Sequence, residues 1–245
     1  MNRPDGVMLA ARGLHKRFNA LVVLDNVDFA MGAGEAVGIV GPNGAGKTTL
    51  LSVLAGAFPP NAGAVTFKGR DVTALPAAER CRVGLVRTHQ IPRPFGGMTV
   101  FENVFVGAAH GAGLAHAEAC NEAEAALDLC GMLGIANRRA ETLGLLDRKR
   151  LELARALATR PTALLLDEIG GGLTDAEAGA LVETILELRR RGIAIVWIEH
   201  IVHILLQVAG RLICMDAGRI IADGEPRAVM ADPEVMRAYL GGGPA

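Results

Sequence analysis

The chain has 245 residues, of which 51% are hydrophobic but only 4% aromatic, and its 25 basic and 26 acidic side chains leave a net charge of −1. So apolar a composition excludes intrinsic disorder, and the balanced charge argues against a protein that binds nucleic acid. The most apolar stretch, 193–215, contains Glu199, His200, His203 and Arg211, so it fails as a membrane span.

The N-terminal part of the chain predicts short strands, separated by turns, around one helix. Apolar strand patterns occupy 22–29, 35–40 and 64–67. Apolar residues at helical spacing fill 47–57, and a shorter helix is predicted over 76–82.

The middle of the chain has a different pattern. The Ala/Glu-rich stretch 115–130 and the sequence RKRLELARALAT at 148–159 both carry apolar residues at helical spacing. Residues 91–158 are therefore predicted to form a helical insertion.

After residue 160 strands and helices alternate again. Thr174 and Glu177 have the spacing of a capping box at a helix start. The wholly apolar stretches 163–166 and 193–198 predict strands that are buried on both faces of a parallel sheet. The other predicted elements are helices over 174–191, 201–209 and 226–240, and a hairpin of strands 212–215 and 219–222.

A glycine-rich loop lies between the strand that ends at Val40 and the next helix. Residues 41–48 read GPNGAGKT, which matches the phosphate-loop pattern G-x-x-x-x-G-K-[ST]. Glycine lets the backbone turn its N–H groups toward phosphate oxygens at the positive end of the helix. Lys47 is predicted to add a positive charge and Thr48 to supply a Mg²⁺ ligand. The predicted nucleotide-binding residues of this segment are Asn43, Gly44, Gly46, Lys47, Thr48 and Thr49.

Two acidic residues follow the buried strand 163–166. Asp167 is predicted to hold Mg²⁺, and Glu168 to orient and polarise the attacking water. Acids at a strand end are common alone, but the phosphate loop earlier in the chain makes this pair specific. His200 is a candidate contact for the γ-phosphate, although a histidine at a strand end is more often structural.

Together these motifs resemble those of the nucleotide-binding subunits of ABC transporters, and more narrowly the ATPase subunits of branched-chain amino acid importers. Further matches extend the resemblance over nearly the whole chain. They are Gln90 at the Q-loop glutamine, 98–104 in the segment after it, His200 at the switch histidine, Phe18 at the adenine-contacting ring, and 235–241 at the C-terminal ending.

The resemblance implies an α/β P-loop NTPase fold, with a RecA-like parallel sheet core, an antiparallel β subdomain and a helical insertion subdomain. It implies a single ABC ATPase domain over 1–245. Residues 1–90 and 159–245 would form the nucleotide-binding core with the antiparallel edge sheet, and 91–158 the helical subdomain.

The resemblance also implies the chemistry of the site. ATP and Mg²⁺ are the implied cofactors, with Thr48, Gln90 and Asp167 as metal ligands. Glu168, His200 and Gln90 are the implied catalytic residues. Two such subunits would sandwich two ATP molecules head to tail, each between the phosphate loop of one subunit and the signature motif of the other. The helical insertion would dock on membrane permease subunits, which places the protein in the cytoplasm, peripheral on the inner face of the cell membrane.

The signature motif, usually close to L-S-G-G-Q, is altered in this sequence. The matching stretch, 143–147, reads LGLLD. Gly144 replaces the serine, Leu146 replaces a glycine that permits close backbone approach, and Asp147 replaces the glutamine and adds negative charge near a phosphate. The segment offered to a partner's ATP is therefore degenerate over Gly144, Leu145, Leu146 and Asp147.

Two further features accompany the altered signature. Asp147 is predicted to cap a helix that begins at Arg148, with Arg148 and Lys149 partly offsetting its charge. The D-loop, 170–174, reads GGGLT and follows Ile169, where the family commonly has proline.

These departures leave intact the residues with which the chain would bind its own ATP. They weaken the signature segment that it would present to the ATP bound by its partner. A heterodimer with a second, similar ATPase is therefore favoured, and a homodimer stays possible. A signature that works through main-chain N–H groups, which any residue supplies, is the alternative. Two other classes remain open: a soluble ABC ATPase acting in assembly, repair or translation, and a regulatory module that holds ATP with weak turnover.

Overall fold

The computed structural model describes residues 6–240. Within that range the chain forms ten β-strands and nine α-helices, and the strands make two sheets. The strands are β1 Val7–Phe18, β2 Leu21–Gly32, β3 Ala36–Val40, β4 Ala62–Phe67, β5 Arg70–Asp71, β6 Leu85–Arg87, β7 Ala163–Asp167, β8 Ala194–Ile198, β9 Arg211–Asp216 and β10 Arg219–Gly224. The helices are α1 Lys47–Leu54, α2 Ala77–Arg82, α3 Val100–Val106, α4 His116–Leu129, α5 Leu145–Leu157, α6 Asp175–Arg190, α7 Val202–Val208, α8 Pro226–Met230 and α9 Pro233–Leu240.

The larger sheet has the strand order β10-β9-β3-β8-β7-β6. Its strands run parallel except β10, which pairs with β9 in the predicted hairpin. Every residue of β3, β7 and β8 is buried, as their apolar sequences predict, and the buried residues include Asp167 at the end of β7. Because the strands are parallel, the segments that follow β3, β6, β7 and β8 leave from the same edge of the sheet. That edge carries the predicted site.

The smaller sheet is antiparallel, in the order β2-β1-β4-β5. The two sheets match the predicted parallel core with an antiparallel subdomain. Strand β1 was not among the predicted elements. Its pairing with both neighbours is irregular beyond Ala11, and Gly13 has φ +57°. These irregularities shift which side chains face inward, so the period-2 pattern is broken in the sequence.

Helix α1 begins at Lys47 as predicted but ends at Leu54 rather than at residue 57. Gly56 follows with φ +77°, a left-handed conformation that ends helices. The buried guanidinium of Arg80 donates to the carbonyls of Val53 and Leu54 at 2.8 and 2.7 Å. It thereby satisfies carbonyls that the helix leaves without partners.

The helical insertion contains three α-helices, of which α4 matches its predicted range closely. Helix α3 was not predicted as an element, although Thr99 and Glu102 form a capping box at its start, and that spacing could have identified it. Helix α5 begins three residues before the predicted Arg148. A π-turn at Gly107–Gly111 continues α3.

The C-terminal segment forms two helices where one was predicted over 226–240. Helix α8 ends at Met230, and Pro233 opens α9, because proline fits the first turn of a helix but not its interior. The predicted ending 235–241 lies inside α9 except for Gly241, which is outside the described residues. Across residues 6–240, none of the helices is long and apolar enough to cross a bilayer.

Candidate functional site

The phosphate loop connects β3 to α1 in a shape that only glycine permits at two positions. Gly41 has φ +143°, and a Cβ there would lie 2.1 Å from the carbonyl oxygen of Met215. Gly46 has φ +98°, and its Cβ would lie 2.6 Å from the carbonyl oxygen of Val23. The loop therefore turns tightly against its neighbours and leads into the first turn of α1, whose N–H groups have no partner within the helix.

Lys47 stands at the start of α1 with its side chain folded back into the loop. Its Nζ donates to the carbonyls of Gly41 at 2.7 Å and Pro42 at 2.9 Å. An ammonium carries three donors, so one remains for a ligand. Burial lowers the pKa of Lys47. The cleft beside it is lined by Val23, Asn43, Gly44, Ala45, Gly46, Lys47, Thr48, Thr49 and Glu168.

Thr48, which lines this cleft, contacts Asp167, although 119 residues separate them in the chain. The hydroxyl of Thr48 lies 3.3 Å from Asp167 Oδ1, and Asp167 is completely buried. Its other oxygen, Oδ2, accepts a hydrogen bond of 2.6 Å from Arg87. The structure thus brings together two of the three predicted metal ligands and adds a cation, Arg87, that the motifs had not identified.

The other two predicted catalytic residues both contact the carboxylate of Glu168. Gln90 Nε2 donates to its Oε2, and His200 Nε2 lies 2.8 Å from its Oε1. An ionised carboxylate only accepts hydrogen bonds, so this contact suits the tautomer of His200 that has its proton on Nε2. Glu168 also has φ +50°, a conformation that costs free energy in a non-glycine residue and is found mostly at functional sites.

Two of the three predicted metal ligands are arranged as Mg²⁺ would need them, and the third is not. Mg²⁺ usually takes one or two protein oxygens together with phosphates and water, and Thr48 with the buried Asp167 supplies such a pair. Gln90 contacts Glu168 instead. Within residues 6–240 no three His, Cys, Asp or Glu side chains cluster as a metal cage.

Phe18, predicted to contact adenine, lies at the end of β1 and is not among the residues that line the cleft. Its ring packs edge to face on Phe58, with 5.5 Å between centroids. Lys16 Nζ stands 5.1 Å from its centroid. Phe18 as a whole is 40% exposed, so part of this residue is open to a ligand.

The altered signature segment begins α5. Gly144 is the N-cap of this helix, so the prediction that Asp147 caps a helix starting at Arg148 is wrong. The two apolar residues before Asp147 continue the helical pattern, and Arg148 N–H bonds to the carbonyl of Gly144. Asp147 lies in the first turn, where its charge interacts favourably with the helix dipole.

The two cations predicted to offset the charge of Asp147 both donate to main-chain carbonyls. Arg148 donates instead to the carbonyls of Leu143 and Glu141, and Lys149 donates to the carbonyl of Gly171 in the D-loop. The cation that pairs with Asp147 is Arg150, whose Nη1 lies 4.0 Å from the carboxylate.

The D-loop is anchored from two sides by buried charges that sequence reasoning missed. Glu199 accepts hydrogen bonds from the N–H of Gly170 and from the indole of Trp197. Burial raises the pKa of Glu199 and lowers that of Lys149. A Cβ at Gly170 would lie 2.8 Å from Glu199 Oε1. A side chain at position 170 would therefore force the carboxylate of Glu199 to shift.

The C-terminal helix α9 reaches the start of the phosphate loop. The hydroxyl of Tyr239 accepts a hydrogen bond of 2.8 Å from the N–H of Gly41. Burial raises the pKa of Tyr239, so its hydroxyl stays protonated at neutral pH. Val235, one turn earlier in α9, is buried and anchors the helix.

Replacing Tyr239 with phenylalanine is expected to destabilise the phosphate loop without changing the packing of the ring. The loss of one hydrogen bond to a main-chain N–H costs about 1 kcal/mol, which lowers the melting temperature of a chain this size by about 2–4 °C. Thermal unfolding with and without ATP measures the effect. Met236→Leu, an exposed position on the same helix, is the control. Identical melting curves for Tyr239→Phe and the wild type would contradict the expectation.

Comparisons with known proteins agree with the geometry. The family model described as "ABC transporter" matches residues 24–170, and the model described as "Branched-chain amino acid ATP-binding cassette transporter" matches residues 219–245. The high-affinity branched-chain amino acid transport ATP-binding protein LivG of Salmonella typhimurium is 38% identical, over 96% of this chain and 98% of the relative.

A second relative and a solved structure extend this likeness. The high-affinity branched-chain amino acid transport ATP-binding protein BraF of Pseudomonas aeruginosa is 34% identical, over 98% of this chain and 99% of the relative. A crystal structure of an ATP-binding cassette of an ABC transporter in its ADP conformation has a TM-score of 0.87 at 31% identity. It covers 97% of this chain and 100% of the other.

Proposed function

The chain belongs to the ABC transporter family of ATP-binding subunits, as its motifs predict, and we propose that it powers the import of branched-chain or related amino acids through a separate permease. Its fold is that of a P-loop NTPase, and ATP binding and hydrolysis follow from the family. One observation carries the proposal: the phosphate loop, the Thr48–Asp167 pair and the Glu168–Gln90–His200 cluster all border one sheet edge.

The phosphate loop is the proposed binding site for the triphosphate. The main-chain N–H groups of the loop and of the first turn of α1 would hold the β- and γ-phosphates, and the buried Lys47 supplies a positive charge to them. The contributing residues are Asn43, Gly44, Gly46, Lys47, Thr48 and Thr49. Thr48 and Asp167 would hold Mg²⁺, with Gln90 joining when nucleotide is bound. Mg²⁺ neutralises charge on the β- and γ-oxygens.

Hydrolysis is assigned to Glu168, Gln90 and His200. Glu168 acts as the general base that takes a proton from the attacking water. The contacts to Gln90 and His200 occupy one oxygen each, so the carboxylate is held in a fixed orientation. We assign the γ-phosphate contact to His200 once it leaves Oε1, which also frees that oxygen to take the proton from the water.

Phe18 is the proposed adenine platform, and its truncation to alanine is expected to weaken ATP binding. Stacking of a base on an aromatic ring contributes about 1–3 kcal/mol, so affinity should fall by about 5- to 150-fold. Calorimetric titration with ATP measures the loss. Leu21→Ala removes another exposed apolar side chain near the same strand end and should bind normally. Unchanged affinity in Phe18→Ala would remove the ring from the site.

The proposed assembly follows from the intact ATP-binding residues of this chain and from its altered signature segment. A second ABC ATPase subunit would complete both ATP sites, with a heterodimer favoured over a homodimer because the signature is altered at Gly144, Leu146 and Asp147. Residues 91–158 would form the helical subdomain that docks on the permease, and 1–90 with 159–245 the nucleotide-binding core. The protein would then lie on the cytoplasmic face of the membrane, without a role in nucleic-acid binding.

Reconstitution tests the function directly. The chain, its permease and a second ATPase would be placed in proteoliposomes with the extracytoplasmic binding protein, and uptake of radiolabelled leucine measured against uptake of an acidic amino acid. ATP-dependent leucine uptake that requires this chain supports the proposal. ATP hydrolysis without transport of any amino acid, or failure to co-purify with a permease, would contradict it.

A regulatory or soluble ATPase with weak turnover is the second candidate. The replaced signature serine, glycine and glutamine favour it, and the intact Glu168 and His200 disfavour it. Steady turnover above that of a Glu168→Gln variant, in the assembled complex, would decide against this reading.

A further inference from the structure

Arg87 joins three elements beneath the proposed metal site. It lies at the end of β6, and its NH2 donates to Asp167 Oδ2 at 2.6 Å. Its NH1 donates to Ser52 Oγ in α1 at 2.7 Å. Ser52 Oγ donates in turn to the carbonyl of Thr48 at 2.6 Å. The guanidinium therefore links the residue that offers the hydroxyl to the residue that offers the carboxylate.

The two hydrogen bonds of the Arg87 guanidinium fix which oxygen of Asp167 faces Thr48. Asp167 is completely buried, and a buried carboxylate requires a partner for its charge. Arg87 occupies Oδ2, which leaves Oδ1 at 3.3 Å from the Thr48 hydroxyl. Rotation of the carboxylate would break the shorter contact. The guanidinium cannot follow such a rotation, because its Nη1 is hydrogen-bonded to Ser52 Oγ.

We infer that Arg87 is a positioning residue for the divalent cation that accompanies ATP, acting through Asp167 and Thr48. The inference rests on the proposed function, since it takes Thr48 and Asp167 as the cation's ligands. Groups that orient metal ligands in this way typically change metal affinity by about 10- to 100-fold when removed. The effect is expected on the cation rather than on the nucleotide, because the side-chain hydrogen bonds of Arg87 go to Ser52 and Asp167, neither of which is among the residues that line the cleft.

The experiment measures Mn²⁺, a paramagnetic substitute for Mg²⁺, by its EPR signal with the full chain and a non-hydrolysable ATP analogue. Arg87→Gln removes the charge and one prong, and it is expected to weaken Mn²⁺ binding by about 10- to 100-fold. Affinity for the analogue in EDTA is expected to stay as in the wild type. Arg191→Gln, which removes an exposed cation paired with Glu187, is the matched control and should bind Mn²⁺ normally.

Two further variants keep the inference falsifiable if Arg87→Gln folds poorly. Arg87→Lys retains the charge but offers a compact donor group in place of the planar fork, and Ser52→Ala removes the second anchor. Both should weaken Mn²⁺ binding less than Arg87→Gln does, with the EDTA affinity unchanged.

Three results would overturn the inference: wild-type Mn²⁺ affinity in all three variants, tighter Mn²⁺ binding in Arg87→Gln, or equal losses with Mn²⁺ and with EDTA, which mark a purely structural role. Failure of the wild type to bind Mn²⁺ beside the analogue would instead refute the proposed metal site itself.

Discussion

Glu168→Gln is expected to lower ATP turnover by about 10²- to 10⁴-fold while ATP affinity stays within a few fold of the wild type. Glutamine has the size of glutamate but no basic oxygen, so it cannot take a proton from water. The backbone at this position has φ +50°, and both side chains face the same conformational cost. The variant therefore isolates the chemistry from the fold.

The contacts of Glu168 sharpen this expectation. A glutamine at 168 can still accept from His200, but its amide nitrogen would face the Nε2 donor of Gln90. Gln90 must turn its amide to restore that contact, which it can do without moving the backbone. ATP binding should survive, because the phosphate loop is untouched. Phosphate release measures turnover, and calorimetry measures affinity.

Glu183→Gln provides the control, since Glu183 is exposed on α6 and lies outside the cleft. Its turnover should equal that of the wild type. Wild-type turnover in Glu168→Gln would remove Glu168 from the catalytic role, and joint loss of turnover and binding would point to misfolding instead.

The sequence predicted the parts of this site that local motifs encode. Glycines at fixed positions, a lysine at a helix start and acids after an apolar strand each have a mechanical reason for their spacing. Parallel strand order then brings their ends to one edge. The Thr48–Asp167 contact could be anticipated in this way, because β3 and β7 both flank β8 in the same sheet.

The supporting contacts could not be anticipated. Arg87 and Asp167 are 80 residues apart, and no pattern in the sequence pairs an arginine on a three-residue strand with that acid. Tyr239 meets Gly41 across 198 residues. Such contacts depend on how separate elements pack. The two residues of each contact are not separated by a spacing that a sequence motif would reveal.

The predicted start of α5 at Arg148 was wrong for a local reason. Asp147 is a good capping residue by type, and the prediction gave that preference priority over the apolar pair before it. In the structure Gly144 takes the cap. The segment proposed to meet a partner's ATP therefore includes the first turn of α5, and Leu146 and Asp147 lie inside that turn.

Restoring three of the four altered signature positions is expected to raise ATP turnover of the isolated chain by at least about tenfold, a difference of about 1.4 kcal/mol in barrier. The triple variant Gly144→Ser, Leu146→Gly and Asp147→Gln returns the hydroxyl, the close backbone approach and the neutral side chain. A Cβ at Gly144 meets nothing within 4 Å, so serine fits. Glycine at 146 costs about 1 kcal/mol in a helix, and thermal unfolding must show that the variant stays folded at the assay temperature.

Asp128→Asn, which removes an exposed negative charge at the end of α4, is the control and should leave turnover low. If the wild-type chain alone already hydrolyses ATP as fast as the triple variant, the altered signature works through its main-chain N–H groups. The reason to favour a heterodimer would then be lost.

The assembled heterodimer gives the sharper comparison, because its two ATP sites are expected to be unequal. One site pairs this chain's phosphate loop and Glu168 with an intact signature from the partner, and the other pairs the partner's loop with Gly144, Leu146 and Asp147. Glu168→Gln in this chain should abolish most turnover of the complex, whereas the corresponding change in the partner should cost little. Equal losses from the two changes would show that both sites hydrolyse ATP, and that the altered signature supports catalysis.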